Sequence, residues 1–188
     1  MQQINENLIV ISPGDQLQGI ADDCLKIYLS GSLDMSGNGI PWQQKFINGL
    51  SKMTVPHPED QSIPDYSMFK FAVINPLGPS NGEPTLDNPE YVQKTQWAIQ
   101  CQGMADVIFC NVLRKSKLPS AINDFLVWSQ SGKVVARVPS DSVFFPMTSL
   151  LSQAFGIPMV GESGSVIQVM DTIFNGIPKF QELSQYGL

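Results

Sequence analysis

Residues 105–136 read ADVIFCNVLRKSKLPSAINDFLVWSQSGKVVA, and this stretch decides the fold. Its first apolar run predicts a buried strand, and Pro119 predicts the start of a helix. Gly132 ends the helical pattern, and a second β-branched run predicts the next strand. Asp124 falls early in this helix, near the carboxyl end of a parallel strand, where open α/β sheets bind ligands. It is therefore the first candidate for chemistry.

The rest of the chain repeats this alternation of short apolar runs and helical patterns. Strands are predicted at 8–11, 25–29, 69–74, 107–110, 134–138 and 158–160. Helices are predicted at 41–53, 88–104, 119–130, 148–155 and 163–174, the second of them with Asn88 as N-cap and a proline after it.

Strands that alternate with helices predict an α/β fold, a Rossmann-like or flavodoxin-like sandwich with about five parallel strands and helices on both faces. The length of 188 residues favours a single domain, 1–188. Within it we predict an N-terminal extension at 1–20, which includes the run at 8–11, an insertion loop at 54–66 and a C-terminal tail at 176–188.

Composition narrows the classes of function. The net charge of −6 argues against binding to a nucleic acid polymer, which needs a basic face. The three cysteines lack metal-like spacing and predict buried free thiols in a reducing compartment. No apolar run approaches the roughly 18 residues of a membrane span, and the N-terminus does not resemble a signal peptide. We expect a soluble, cytoplasmic protein without membrane contact, and neither a metal nor a cofactor is predicted.

Two segments have the composition of ligand-binding loops. At 30–32 a Ser-Gly-Ser turn follows a strand and offers hydroxyl and backbone N–H groups, although it also fits a simple strand-to-helix turn. Arg114, Lys115 and Lys117 cluster just before Ser120, where they could hold a phosphate at a helix N-terminus, or form an ordinary solvated loop.

Three further residues are more readily explained by structure. The single histidine, His57, lies between two prolines in the insertion loop and is predicted to be exposed. Asp106 begins a strand, at the end of the sheet opposite the expected ligand crevice. Trp128 lies one turn after Asp124 and could form the wall of a base pocket, or pack in the core or between subunits.

The order and spacing of several motifs resemble the nucleoside 2-deoxyribosyltransferase family. The motifs are IYLSGS at 27–32 with Trp42 after it, VINP at 73–76, NPEY at 88–91 followed by Trp97, and the whole of 105–138. The resemblance covers residues 25–174 outside the insertion loop. No single motif is specific, but together they follow the family in register.

The resemblance implies a carboxylate nucleophile at Asp124 that attacks C1′ of a deoxyribonucleoside, with Tyr28 beside it to orient the carboxylate. A glycosyl-enzyme ester then passes to a second base or to water, by the logic of a retaining glycosidase. It also implies a homo-oligomer, on which the C-terminal tail could dock if it is ordered. We predict substrate contacts from Ser30, Gly31, Ser32, Asp34, Asn75, Asp87, Ser120 and Trp128.

The chain departs from the family at three positions. Asp124 stands in place of a glutamate, which withdraws the carboxylate by roughly 1 Å. Ala98 and Leu118 stand where members of the family carry acids. The proton for the leaving group then has no assigned donor, and Asp34, Asp87 and Glu90 are candidates from loops.

Three hypotheses follow for the function. The first is a nucleoside deoxyribosyltransferase-like enzyme, and the second is a nucleotide N-glycosidase that uses the basic loop. The third is a catalytically impaired nucleotide-binding protein, which the departures at Ala98 and Leu118 favour.

Overall fold

A computed structural model describes residues 1–31, 40–56, 63–78, 84–114, 120–162 and 164–184. Six strands form one sheet: β1 (Gln2–Asn5), β2 (Leu8–Ile11), β3 (Cys24–Ser30), β4 (Lys70–Ile74), β5 (Val107–Asn111) and β6 (Val134–Arg137). Six helices are α1 (Trp42–Met53), α2 (Pro89–Met104), α3 (Ser120–Trp128), α4 (Phe145–Phe155), α5 (Val166–Gly176) and α6 (Pro178–Ser184).

The sheet has the order β1-β2-β4-β3-β5-β6. Only the pairing of β1 with β2 is antiparallel, and the other four pairings are parallel. The sheet is thus mostly parallel and compatible with a Rossmann-like fold, as the alternation of strands and helices predicted. The chain winds from β3 outward to β4, then crosses back to β5, so its direction reverses between β3 and β5. Ligands of open α/β sheets bind at the carboxyl ends of strands at such a reversal.

The number of strands differs from the prediction of about five. Residues 8–11 are not part of a loose extension, because β2 pairs along its whole length with β4, from Leu8 opposite Phe71 to Ile11 opposite Ile74. Leu8 and Ile11 are fully buried, so this short strand belongs to the core. The strand predicted at 158–160 is reduced to a single bridge between Ala136 and Met159.

Helices cover both faces of the sheet because strand residues alternate in direction. Ile27 and Leu29 pack in the cluster that includes residues of α1, α5 and α6, and we call this side the α1/α5 face. Tyr28 points the other way, into the cluster formed with α2, α3 and the segment around α4, which we call the α2/α3 face.

The helix boundaries follow local capping chemistry. The Asn88 side chain accepts hydrogen bonds from the N–H groups of Glu90 and Tyr91, which confirms the predicted start of α2. Ser165 and Gln168 form a capping box at the start of α5, so that helix begins later than predicted. Gly156 ends α4 in the left-handed conformation, with φ of 65°.

The described part of the C-terminal tail is helical and packs on its own chain. Phe180 of α6 is fully buried, and its ring lies 5.2 Å from Phe174 of α5, edge to face. This side chain of the tail is therefore covered by its own chain. Likewise Tyr66, at the end of the predicted insertion loop, is buried and stacks on Phe174 at 4.8 Å. His57 lies outside the described residues.

Two other features bear on the class of protein. All three cysteines are buried and free, as predicted, and burial raises the pKa of the Cys101 thiol to about 12. Over the described ranges, none of the helices is long and apolar enough to cross a bilayer.

Candidate functional site

Asp124 lies in the wall of a cavity of about 520 Å³ at the carboxyl end of β3. Five further residues, at or near the ends of strands and helices, line the same side of the cavity as Asp124: Tyr28, Ser30, Gly31, Pro76 and Ser120. The volume falls within the range of roughly 300–1,000 Å³ that is typical of small-molecule sites. Tyr28, Ser30, Gly31, Ser120 and Asp124 were predicted from the sequence, and the fold brings them together.

The Ser30 hydroxyl holds the Asp124 carboxylate by donating to its Oδ2 at 2.5 Å. The Gln102 amide is a second polar neighbour of the carboxylate. Burial is the larger influence and raises the pKa of Asp124, while Ser30 and Gln102 lower it in part. The carboxyl group is therefore oriented by its neighbours and is more easily protonated than an exposed aspartate.

Gln102 connects three of the side chains at this site. The Trp128 indole N–H donates to the Gln102 Oε1 at 2.9 Å, and the Gln102 side chain lies near both the Asp124 carboxylate and the Tyr28 hydroxyl, where it lowers the pKa of each group in part. Trp128 thus fixes Gln102 and does not itself line the cavity, contrary to the predicted wall of a base pocket.

Tyr28 lies beside Asp124 without bonding to it directly. Burial, and after it the charge of Asp124, raises the pKa of the Tyr28 hydroxyl, so the phenol keeps its proton at neutral pH. The predicted hydrogen bond from Tyr28 to the carboxylate is absent among the described residues, where the Ser30 hydroxyl is the donor to it.

Gly31 marks the reversal point of the sheet. A Cβ atom at this position would lie 2.6 Å from the carbonyl oxygen of Asn111 and 2.9 Å from the ring of Trp42. Only glycine allows β3 and β5 to end so closely together, and this contact bounds the cavity.

The remaining predicted residues have other positions. Asn75 accepts a hydrogen bond from the N–H of Leu77 and shapes the turn, and Asp87 is exposed; neither lines the cavity. Arg114 forms an ion pair with Glu162 at 2.6 Å and lines a different cavity, so it does not join Asp124. Ser32, Asp34, Lys115 and Lys117 lie outside the described residues.

Asp106 has a structural role, as predicted. It lies at the amino end of β5, where it accepts a hydrogen bond from the N–H of Lys26 at 2.8 Å and pairs with Lys179 at 2.5 Å. The described residues contain no group of three His, Cys, Asp or Glu side chains placed to hold a metal ion.

The opposite wall of the cavity comes from α2, where the sequence had indicated only Ala98, at a position of a family acid, and Glu90 as a candidate donor. Its lining residues are Tyr91, Lys94, Thr95, Ala98, Ile99 and Gln102. Residues 91, 95, 98 and 102 recur at helical spacing and therefore share one face. These four residues mix polar and apolar types, so hydrophobic periodicity does not reveal that they share one face of α2. Their helical spacing alone could have revealed it.

No family model matches this chain, and the search of curated proteins found no match. The resemblance to the deoxyribosyltransferases therefore stays a prediction based on the order and spacing of motifs.

The raised pKa of the Asp124 carboxyl group leads to a prediction for how the stability of the fold depends on pH. The pKa of Asp124 in the folded chain is raised above its ordinary value of 3.8, so the fold favours the protonated form. This contribution to stability is present below pH 3.8 and is lost as the pH rises through the folded pKa. Asp124→Asn, which is uncharged throughout, is therefore expected to be more stable than the wild type at pH 7, with the difference shrinking toward pH 4. Urea denaturation at both pH values measures this, and an equal difference at both would contradict the assignment.

Proposed function

We propose that the protein is a nucleoside deoxyribosyltransferase-like enzyme that cleaves or transfers at the N-glycosidic bond of a nucleoside or nucleotide, with Asp124 as the nucleophile. The observation that carries the proposal is the Asp124 carboxylate itself. It faces a cavity of ligand size and is oriented there by the hydrogen bond from the Ser30 hydroxyl. A partly buried acid held in this way is typical of catalytic sites.

The chemistry needs a carboxylate that reaches C1′ of the sugar. Attack by Asp124 forms an ester bond to C1′, and the base nitrogen leaves with the electron pair of the N-glycosidic bond. Water or a second base then breaks the ester and restores the carboxylate. The hydrogen bond from Ser30 restricts the rotation of the carboxylate and so favours a single direction of attack.

The composition of the cavity wall supports a nucleobase as part of the ligand. Leu77, Ala98 and Ile99 provide apolar contacts, and Tyr91 provides an aromatic ring. Thr95 and Lys94 add polar groups that can read the edge of a base or contact a phosphate. This mixture of an apolar surface with a few polar groups is usual for small-molecule sites.

Tyr28 supports the departure of the base. Its hydroxyl carries a proton at neutral pH, and it faces the same cavity as Asp124. It can therefore donate a hydrogen bond to the leaving base, a role for which the described lining offers no second carboxyl group. We also propose that the protein is cytoplasmic and acts as a homo-oligomer, both as predicted from the sequence.

Two alternatives compete with transfer. A nucleotide N-glycosidase would use Lys94 for the phosphate, since Arg114 lines another cavity. A binding-only protein is favoured by the absence of a second acid among the described lining residues, where Ala98 occupies the α2 wall.

Two incubations distinguish these functions. In the first, the protein is mixed with a deoxynucleoside and a different free base; in the second, it is given deoxynucleoside monophosphates alone. Liquid chromatography then detects exchanged nucleosides or free bases. Exchange supports transfer, and release from monophosphates supports hydrolysis. If neither occurs while nucleosides still bind, the enzymatic proposal is wrong.

A further inference from the structure

A second cavity, of about 390 Å³, lies at the carboxyl ends of β5 and β6. Asn111 ends β5 and Arg137 ends β6, and both line it. Asn111 follows Phe109 by two positions along β5, and Arg137 follows Val135 by two positions along β6. Because Phe109 and Val135 pack in the cluster of the α1/α5 face, the side chains of Asn111 and Arg137 point to that face as well. The Asp124 cavity lies on the other face, and the close contact of Gly31 with the Asn111 backbone marks the edge that both cavities share.

Arg137 is a partly buried cation whose described partners are all neutral. Its Nε donates to the Asn111 Oδ1 at 2.8 Å, and a terminal nitrogen donates to the carbonyl oxygen of Gly164 at 2.9 Å. Across the part of the chain that the structure describes, no carboxylate forms an ion pair with it. Removal from water is unfavourable for such a charge unless an anion compensates it.

Asn111 carries an unsatisfied donor at the same place. The residue is 1% exposed, its Oδ1 accepts from Arg137, and its Nδ2 has no hydrogen-bond partner. A guanidinium group has five N–H donors, of which two are used here, so this wall of the cavity offers donors without acceptors. Its chemical complement is a group rich in acceptor oxygens.

The charges at the rim of the cavity fit the same ligand. Glu162 lines the cavity, but its carboxylate is already occupied by the Ser140 hydroxyl at 2.6 Å, the Ser140 N–H and Arg114 at 2.6 Å. Arg114 also lies 3.6 Å from Asp141 and is largely exposed. Arg114 is thus paired with Glu162 and Asp141, whereas Arg137 is the lining cation for which the described residues supply no carboxylate partner.

We propose that this cavity binds a phosphate group, with the Asn111 amide and the Arg137 guanidinium as its buried donors. The phosphate belongs either to free inorganic phosphate or to a small phosphorylated metabolite such as a nucleoside monophosphate. Several acceptor oxygens on one tetrahedral group match a planar guanidinium and a neighbouring amide. The proposal does not depend on the chemistry proposed for Asp124, because the two sites share none of their side chains.

Calorimetric titration tests the site directly, with inorganic phosphate and separately with a nucleoside monophosphate and its parent nucleoside, at constant ionic strength. Saturable binding of phosphate or of the monophosphate is expected. Asn111→Asp conserves the shape of the side chain but supplies an internal carboxylate for Arg137. It is expected to weaken phosphate binding by at least about tenfold, because it neutralises Arg137 and repels the ligand. Arg137→Lys keeps the charge but loses the planar fork, and a weaker affinity is expected for it too.

The matched control is Asn48→Asp, which makes the same change of charge on the exposed face of α1 and is expected to leave the affinity unchanged. Near-ultraviolet circular dichroism checks that each variant is folded. If the wild type binds the monophosphate but does not bind inorganic phosphate, and Asn111→Asp abolishes this binding, the natural ligand is a phosphorylated metabolite. The proposal is overturned if the wild type binds neither ligand, so that the cavity holds only water. It is also overturned if Asn111→Asp and Arg137→Lys both bind like the wild type, since the anion then binds elsewhere.

Discussion

Replacing Asp124 by alanine is expected to lower kcat for base release or exchange by at least about 10⁴-fold, because loss of a covalent nucleophile removes the first chemical step. The Ser30 hydroxyl then loses the carboxylate to which it donates. Nucleoside binding is expected to persist, since Tyr91, Ala98 and Ile99 form the opposite wall of the cavity. Single-turnover kinetics and equilibrium binding separate these two effects.

Asp124→Glu tests the geometry more finely. The Ser30 Oγ lies 2.5 Å from Oδ2, so one added methylene moves the carboxylate away from this donor. A displacement of about 1 Å can cost roughly 100-fold in rate, and we expect a loss of that order. If the glutamate variant is instead as active as the wild type or more so, the Ser30 contact does not set the position of attack.

Asp22→Asn is the matched control for these variants. Asp22 is exposed and precedes β3, at the opposite end of the sheet from the cavity. We expect wild-type activity from it. If Asp124→Ala and Asp22→Asn have equal activity on every nucleoside and nucleotide tested, Asp124 is not a nucleophile. The expected gain in stability of Asp124→Asn at neutral pH, together with a loss of activity, would instead mark a residue kept for function at a cost in stability.

Sequence reasoning placed the strand side of the site well. Tyr28, Ser30 and Gly31 lie at the end of one strand, and Asp124 lies on the helix that follows another, so the topology of a parallel sheet brings them to one edge. The α2 side was missed because Gln102 is a buried polar residue in a helix of weak amphipathic pattern. Its role depends on the hydrogen bond from Trp128, which lies 26 residues further along the chain. No local pattern encodes such a contact.

The fold shows the same limit at its ends. The pattern of short apolar runs predicted the strands from β3 to β6, whose connections are regular helical crossovers. The same pattern did not reveal that β2 continues the sheet, because the pairing of β2 with β4 is a long-range contact that a four-residue apolar run does not predict. The partner of Arg114 illustrates the same limit, because Glu162 follows it by 48 residues and is brought near only by the fold.

The second large effect is expected from Phe180→Ala. The side chain is fully buried between α5 and the sheet-facing cluster, and its ring contacts Phe174 edge to face. Truncation of a buried phenylalanine removes apolar contacts and leaves a cavity, at a cost of about 3–5 kcal/mol in the free energy of unfolding. For a chain of this size that corresponds to a fall in Tm of roughly 6–20 °C. Chemical denaturation and calorimetry measure both quantities.

Phe155→Ala is the control, because the same side chain at the end of α4 is 42% exposed and should cost much less. Equal losses from the two variants would show that α6 does not pack as a core helix. Phe180 lies on the α1/α5 face, whereas Asp124 serves the cavity of the α2/α3 face. Base release by the folded fraction of Phe180→Ala should therefore match the wild type at a temperature well below its Tm. A variant that stays folded but loses activity would mean that the tail supports the Asp124 site across the sheet.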